Sequence, residues 1–179
     1  ADDSPRDIPH ATGKIYRYTT AGGVQCVSDE AFGITNTLAF PDPHHLITAD
    51  TLANTLYRYD IGAGGQLSGR KVLQTGFARG FPDGSCLDAQ GRLWTARVAG
   101  GACLTCLAPD GTIDAVVDLP CLWPTSCAFG GPDLATLYVT SARFTLSGDH
   151  LAAHPHEGGL FALDVGARGL APYRFGETP

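Results

Sequence analysis

The sequence predicts an all-β fold. Composition is the first observation: charged residues make up 17% of the 179 residues, whereas glycine occurs 23 times and proline 12 times. This balance favours many short strands joined by tight turns over long solvated helices. The second observation is a unit of strand, turn and strand that recurs along the chain, and the third is the scarcity of helical periodicity.

Three segments share the recurring unit, each with a Gly/Pro/Asp-rich turn. Residues 36–50 align with residues 83–97 without a gap, and residues 125–140 align after a two-residue insertion in the turn. Their starts lie 47 and then 42 positions apart, near the roughly 40 to 50 residues of a four-stranded propeller blade. A sandwich or jelly roll also has short strands, but it does not predict this equivalence. We therefore predict a β-propeller.

A second set of strands lies between these units. The alternation in residues 56–59 predicts a strand with one buried and one solvated face, and residues 109–112 predict a turn with a positive φ. The four predicted strands are residues 14–18, 55–60, 102–107 and 159–163.

Asn36, Asp83 and Thr125 open the three equivalent units. Equivalent positions of successive blades are related by rotation about the central axis, so these side chains are expected to converge at one mouth of the channel. Their oxygen atoms suit a hard divalent cation. The structural alternative stays open, because such residues also open strands by bonding nearby backbone groups, and residues 82–84 (Pro-Asp-Gly) are an ordinary turn sequence.

Charge and hydropathy exclude two classes of partner. The net charge is −6, and the twelve Lys and Arg form no basic run, which argues against nucleic acid. No apolar stretch approaches the roughly 18 residues needed to span a bilayer, so no membrane partner is expected. Residues 1–5 do not resemble a secretory signal, which predicts a cytoplasmic protein. The chain contains no Met, and we expect it to be part of a longer protein.

The six cysteines are predicted to be unpaired thiols. Cys86 and Cys127 lie in apolar, strand-like runs, where a free cysteine behaves as a small hydrophobe. Cys103 and Cys106 are separated by an odd number of positions, which directs their side chains to opposite faces of a strand.

Other candidate site features have plainer interpretations. The His-rich residues 149–157 are predicted to be a solvated surface loop, not a metal site. Trp94 and Trp123 are predicted to pack between blades. No Gly-x-Ser-x-Gly motif is present, which disfavours a nucleophilic serine.

Residues 81–96 resemble the most recognisable stretch of the gluconolactonase and regucalcin (senescence marker protein) family. Residues 125–143 resemble its penultimate signature, and residues 49–60 and 158–172 are similar to two further family motifs, all in family order. The resemblance implies a six-bladed β-propeller. The chain would cover roughly its C-terminal two thirds, as a single partial domain over residues 1–179 without the N-terminal blades.

The resemblance also implies one divalent metal cation (Ca, Zn, Mg, Mn or Fe), held by a Glu, an Asn and an Asp. Asn36 and Asp83 match the second and third ligands, whereas the Glu falls upstream of Ala1. Asp3 falls about where the family carries an acidic residue that lines the sugar pocket. The family's usual Gly after the ligand Asn is Thr37 here, which restricts φ more strongly.

The activity implied is hydrolysis of a small-molecule sugar lactone, such as gluconolactone or xylonolactone. Hydrolysis of a cyclic ester needs a water nucleophile and a group that takes its proton, and Asp83, a carboxylate beside the cation, is the candidate for that role. Two alternatives stay open. One is a non-catalytic calcium-binding propeller of the regucalcin type, and the other is an inactive fragment that exposes strand edges.

Overall fold

The computed structural model describes residues 10–176, in which antiparallel β-sheets follow one another along the chain. Each sheet is built from strands adjacent in sequence, as short hairpin turns require. The first sheet holds β1 (Tyr16–Thr19) and β2 (Gly23–Cys26), and the second holds β3 (Thr35–Asp42), β4 (His45–Asp50), β5 (Thr55–Ile61) and β6 (Leu67–Thr75). The third holds β7 (Phe81–Leu87), β8 (Leu93–Val98), β9 (Cys103–Leu107) and β10 (Ile113–Asp118), and the fourth holds β11 (Pro124–Gly130), β12 (Thr136–Ser141) and β13 (Leu160–Leu163).

The second, third and fourth sheets pack face to face. Leu46 belongs to an apolar cluster shared with Ile15 and Val27, which flank the first sheet, whereas Ile47, the next residue of β4, belongs to a cluster shared with the third sheet. A further cluster joins the third sheet to the fourth and contains Trp94 and Val139. The first strands of the last three sheets are neighbours, because β7 contacts both β3 and β11. The sheets are therefore successive blades around an inner set of strands, as the repeat predicted.

Strand β5 differs from its prediction in how it is buried. A strand with one solvated face was expected, but Leu56, Tyr57 and Tyr59 are all buried. Leu56 packs toward the third sheet, and the two tyrosines pack in the cluster that contains Phe32. Both faces of this middle strand are covered, so the alternation in its sequence separates side chains of two apolar clusters and does not mark a solvated face.

The segment predicted as a surface loop contains a short helix, α1 (Gly148–Ala153). Ser147 caps it, since the Ser147 hydroxyl accepts a hydrogen bond from the backbone N–H of His150. Six residues are too few to show a helical period in the sequence. The carboxylate of Glu157 then accepts hydrogen bonds from the backbone N–H of Leu122 (2.9 Å) and from His150 Nε2 (3.1 Å), which holds the segment against the preceding loop.

All six cysteines are free, which confirms the prediction, although Cys26 is exposed. Trp94 packs in the cluster between the third and fourth sheets, as predicted. Trp123 differs: it lies in a loop, where its ring meets Phe144 with centroids 4.7 Å apart. Within residues 10–176, no helix is both long and apolar enough to cross a bilayer.

Asp88 organises the turn between β7 and β8. It is 0% exposed, and its Oδ2 accepts hydrogen bonds from Arg92 Nε (2.7 Å) and Trp94 Nε1 (2.9 Å). Its Oδ1 accepts from the backbone N–H groups of Gln90 and Arg92. Burial opposes ionisation, but these donors prevail and lower the pKa of Asp88. The carboxylate therefore fixes both the hairpin and the indole in the core.

Asp88→Ala is expected to lower the free energy of unfolding by about 2 to 4 kcal/mol, because it leaves a partly buried guanidinium and a buried indole without their acceptor. Urea denaturation at pH 7 measures this loss. The matched control is Asp110→Ala in the β9–β10 turn, where an exposed carboxylate accepts from the backbone N–H of Thr112. Losses of equal size would contradict the role assigned to Asp88. Because the folded pKa is depressed, the contribution should disappear as pH falls below about 4.

Candidate functional site

The three sequence-equivalent positions lie at the same structural irregularity. In each inner strand, one extra residue interrupts the pairing with the next strand, which makes a β-bulge. Bulges re-aim side chains and are frequent beside active sites. The register shifts fall between Asn36 and Leu38 in β3, between Pro82 and Ser85 in β7, and between Pro124 and Ser126 in β11.

Asn36 and Asp83 belong to one hydrogen-bonded region that joins the second and third sheets. The side-chain amide of Asn36 donates to Thr51 Oγ1 (2.9 Å), and the Thr51 hydroxyl donates to the carbonyl of Pro82 (2.7 Å). The hydroxyl of Thr37 donates to the carbonyl of Asp83 (2.6 Å). Because Asn36 donates through Nδ2, its Oδ1 is the atom available to a cation.

Thr37 adopts a backbone conformation that β-branched residues rarely take. Its φ is +52°, and it is 6% exposed. The left-handed region costs roughly 1 to 2 kcal/mol for a residue with a Cβ. Besides its bond to Asp83, the Thr37 hydroxyl lies 2.8 Å from Ser85 Oγ. These contacts of the Thr37 hydroxyl with the neighbouring sheet offset the backbone strain, which a glycine at this position would not have.

Asp83 is half-buried, and burial raises the pKa of its carboxyl to about 6. Strongly shifted carboxyls of this kind mark candidate functional sites. Carboxylate and amide oxygens, which Asp83 and Asn36 supply, are ligands that a hard divalent cation prefers. Burial disfavours the ionised carboxylate, and a bound cation would stabilise it.

Residues 82–84 lie inside β7, not in a turn. A Cβ on Gly84 would lie 2.8 Å from Ser126 Cα, which is closer than real Cβ contacts. Glycine at this position therefore lets β7 approach β11 directly after Asp83. The requirement comes from interstrand distance, since Gly84 is not among the residues with positive φ.

The remaining predicted residues are less involved. Thr125 hydrogen-bonds Thr140 within its own sheet (2.8 Å between the hydroxyl oxygens). Asp3 lies outside the described residues. Among residues 10–176, no three His, Cys, Asp or Glu side chains are grouped closely enough to hold a metal. His150 instead pairs with Glu157 and stacks on His154, so the His-rich segment supplies no such group.

Sequence reasoning missed Thr51 and Arg97. Arg97 is fully buried and pairs with Pro82 across β7 and β8. Burial lowers the pKa of Arg97 to about 10. Its guanidinium donates to Asn54 Oδ1 (2.7 Å) and to the carbonyl of Gly80 (3.2 Å). It thereby ties loops of two adjacent sheets at the Asp83 end. The only sequence signal was its position in the aligned unit, where it is equivalent to Asp50, and that position does not distinguish a buried arginine from a solvated one.

The sequence profile of the SMP-30/Gluconolactonase/LRE-like region matches residues 2–143. A 6-deoxy-6-sulfogluconolactonase of Pseudomonas putida is 39% identical over 171 residues, which cover 93% of this chain and 57% of that protein. A pentonolactonase of Haloferax volcanii is 37% identical over 173 residues, 92% of this chain and 58% of that protein. The chain thus spans less than two thirds of these relatives.

Among solved structures, a calcium-binding protein, regucalcin, from Agrobacterium tumefaciens strain C58 superposes with a TM-score of 0.79 at 34% identity. The superposition covers 88% of this chain and 54% of that one.

Thr37→Val and Thr37→Gly separate the hydroxyl from the backbone strain. Valine keeps the branched Cβ at positive φ but leaves the Asp83 carbonyl without its donor, so we expect a loss of about 1 to 3 kcal/mol in the free energy of unfolding. Glycine also loses the hydrogen bond but relieves the strain, and its loss should be smaller. Thr125→Val, which removes a hydroxyl bonded within one sheet, is the matched control and should be the mildest. Glycine worse than valine in urea denaturation would refute this balance.

In the metal-free chain, Asp83→Asn should raise stability above pH 6. A carboxyl with a raised pKa must be ionised at a penalty in the folded state, so the wild type loses stability as pH rises from about 4 through 6. The amide carries no such penalty, and its advantage at pH 8 should be about 1 to 3 kcal/mol. Urea denaturation in chelator at pH 4 and pH 8 measures the difference. A variant less stable than wild type at pH 8 would show that the carboxylate is compensated.

Proposed function

Because this chain belongs to the SMP-30/gluconolactonase/LRE-like family, we propose that it is part of a metal-dependent hydrolase that opens sugar lactones. The observation that carries the proposal is the half-buried carboxyl of Asp83, whose pKa burial raises, in a residue whose backbone carbonyl is hydrogen-bonded by Thr37, the neighbour of Asn36. The names of the Pseudomonas putida and Haloferax volcanii relatives, both lactonases, support this reaction class. Aldonolactones such as gluconolactone or xylonolactone are the proposed substrates.

The proposed cation site uses Asn36 Oδ1 and the Asp83 carboxylate. A third ligand is proposed to be the Glu that the family resemblance places upstream of Ala1. When bound, the cation would act as a Lewis acid toward the lactone. The larger molecule is proposed to be a six-bladed propeller in which residues 1–179 form one partial domain, with Asp3 beside the sugar. Free thiols support a cytoplasmic location.

The chain's own residues have separate roles in this mechanism. Asp83 accepts a proton from the water that attacks the lactone carbonyl carbon, and that proton then passes to the ring oxygen as the ester bond breaks. Asn36 is neutral, so it orients without taking a proton. Thr37 and Thr51 act through these two, because their hydroxyls hold the Asp83 carbonyl and the Asn36 amide.

A second candidate is a calcium-binding propeller without catalysis. The observation that favours it is the 34% identity to the regucalcin of Agrobacterium tumefaciens, which is described as a calcium-binding protein. Lactone turnover measured with and without chelator separates the two candidates, since binding alone predicts no turnover in either condition.

Asp83→Asn and Asn36→Ala should fail in different ways in a lactone-hydrolysing protein that contains this chain. Asp83→Asn keeps an oxygen ligand but cannot accept a proton, so kcat should fall by about 10² to 10⁴-fold even at saturating metal. Asn36→Ala should weaken metal affinity, and excess metal should restore part of its activity. Asp133→Asn, in the distant β11–β12 turn, is the control and should retain turnover. Near-normal kcat in Asp83→Asn would remove the proton-accepting role.

A further inference from the structure

Two free thiols meet at the interface between the third and fourth sheets. Cys86 Sγ of β7 lies 3.6 Å from Cys127 Sγ of β11, and the two residues are 41 positions apart in the chain. Neither belongs to the proposed lactone site. Both strands are inner strands, so the contact joins two blades and does not lie within one.

The two strands approach closely beside this pair of thiols. A disulfide needs an S–S distance of about 2.05 Å and Cα atoms about 4.4 to 6.8 Å apart. Two residues before Cys86, a Cβ on Gly84 would lie 2.8 Å from Ser126 Cα, directly before Cys127. Bond formation therefore requires the sulfur atoms to approach by about 1.5 Å between strands that are already close.

The two sulfurs differ in access. Cys86 is partly exposed, whereas Cys127 is 5% exposed and its thiol donates to the carbonyl of Trp94 (3.2 Å). The hydrogen bond with Cys86 and burial raise the pKa of the Cys127 thiol well above its usual value. Oxidation thus begins at Cys86, and Cys127 is the adjacent thiol that completes it.

We propose that Cys86 and Cys127 form an oxidation site that reacts with small peroxides and forms a disulfide between the two blades. The Cys86 thiolate attacks one peroxide oxygen, the O–O bond breaks, and hydroxide leaves to give the sulfenic acid. Cys127 sulfur then attacks Cys86 sulfur, and the sulfenic oxygen leaves as water with the thiol proton. Overall, two thiols and one H2O2 give one disulfide and two H2O; sulfur is oxidised and peroxide oxygen is reduced.

The bond has a defined structural consequence. It would link β7, which carries Asp83, to β11. Because the two cysteines are 41 positions apart, the bond would also close a loop in the unfolded chain and lower its conformational entropy, so the oxidised form should melt at a higher temperature. Cys106 provides the matched control. It lies in the same apolar cluster, but its strand β9 is separated from β7 by β8.

The test uses the folded 179-residue chain treated with H2O2, then alkylated under denaturing conditions and digested without reductant. Mass spectrometry should find a Cys86–Cys127 cross-linked peptide that has lost two hydrogens, in wild type and in Cys106→Ser. Cys127→Ser should instead leave Cys86 oxidised or alkylated. The wild type should melt higher after oxidation, and a thiol reductant should reverse the shift.

Wild type alone decides the proposal if a variant fails to fold. Cys86 as sulfinic acid with Cys127 still alkylated, a different cysteine pair, or six alkylated thiols after oxidation would each overturn it. These outcomes are independent of lactone turnover, so failure here and failure of the proposed function are distinguishable.

Discussion

Face-to-face packing of successive sheets is the constraint on which the rest of this structure depends. It buries both faces of the middle strands, as Leu46 and Ile47 of β4 show by pointing into different apolar clusters. It also sets the inner strands β3, β7 and β11 side by side. Polar groups on those strands therefore find partners across blades, through hydroxyls such as those of Thr37 and Thr51.

Asp83, near the start of β7, and Asp88, directly after its end, show that the surroundings of a carboxyl decide the direction of its pKa shift. Asp88 is surrounded by donors from Arg92 and Trp94, which lower its pKa and make it a structural anchor. Asp83 is half-buried without comparable compensation, and its pKa rises. A carboxyl kept in that condition destabilises the ionised fold, and a cation would reverse the penalty. The contrast distinguishes a structural carboxylate from a candidate ligand by its surroundings, not by its residue type.

The sequence was sufficient to predict the strands and the equivalence of Asn36 and Asp83, because both depend on a repeat that survives in the residues themselves. It was insufficient wherever a side chain's role depends on the neighbouring blade. The full burial of Tyr57 and Tyr59, the buried Arg97 and the compensated strain at Thr37 are of that kind. Helix α1 was missed for a different reason, since six residues capped by Ser147 leave no period to detect.

The close approach of β7 to β11 links the candidate site to the thiol pair. Glycine must follow Asp83 because a side chain there would enter the Ser126 backbone. The same approach sets Cys86 against Cys127. A larger residue at position 84 would therefore move the strand that carries Asp83 and separate the two sulfurs together. The position of Asp83 and the distance between the two thiols therefore both depend on the separation of β7 from β11. Any change that increases this separation is expected to affect both.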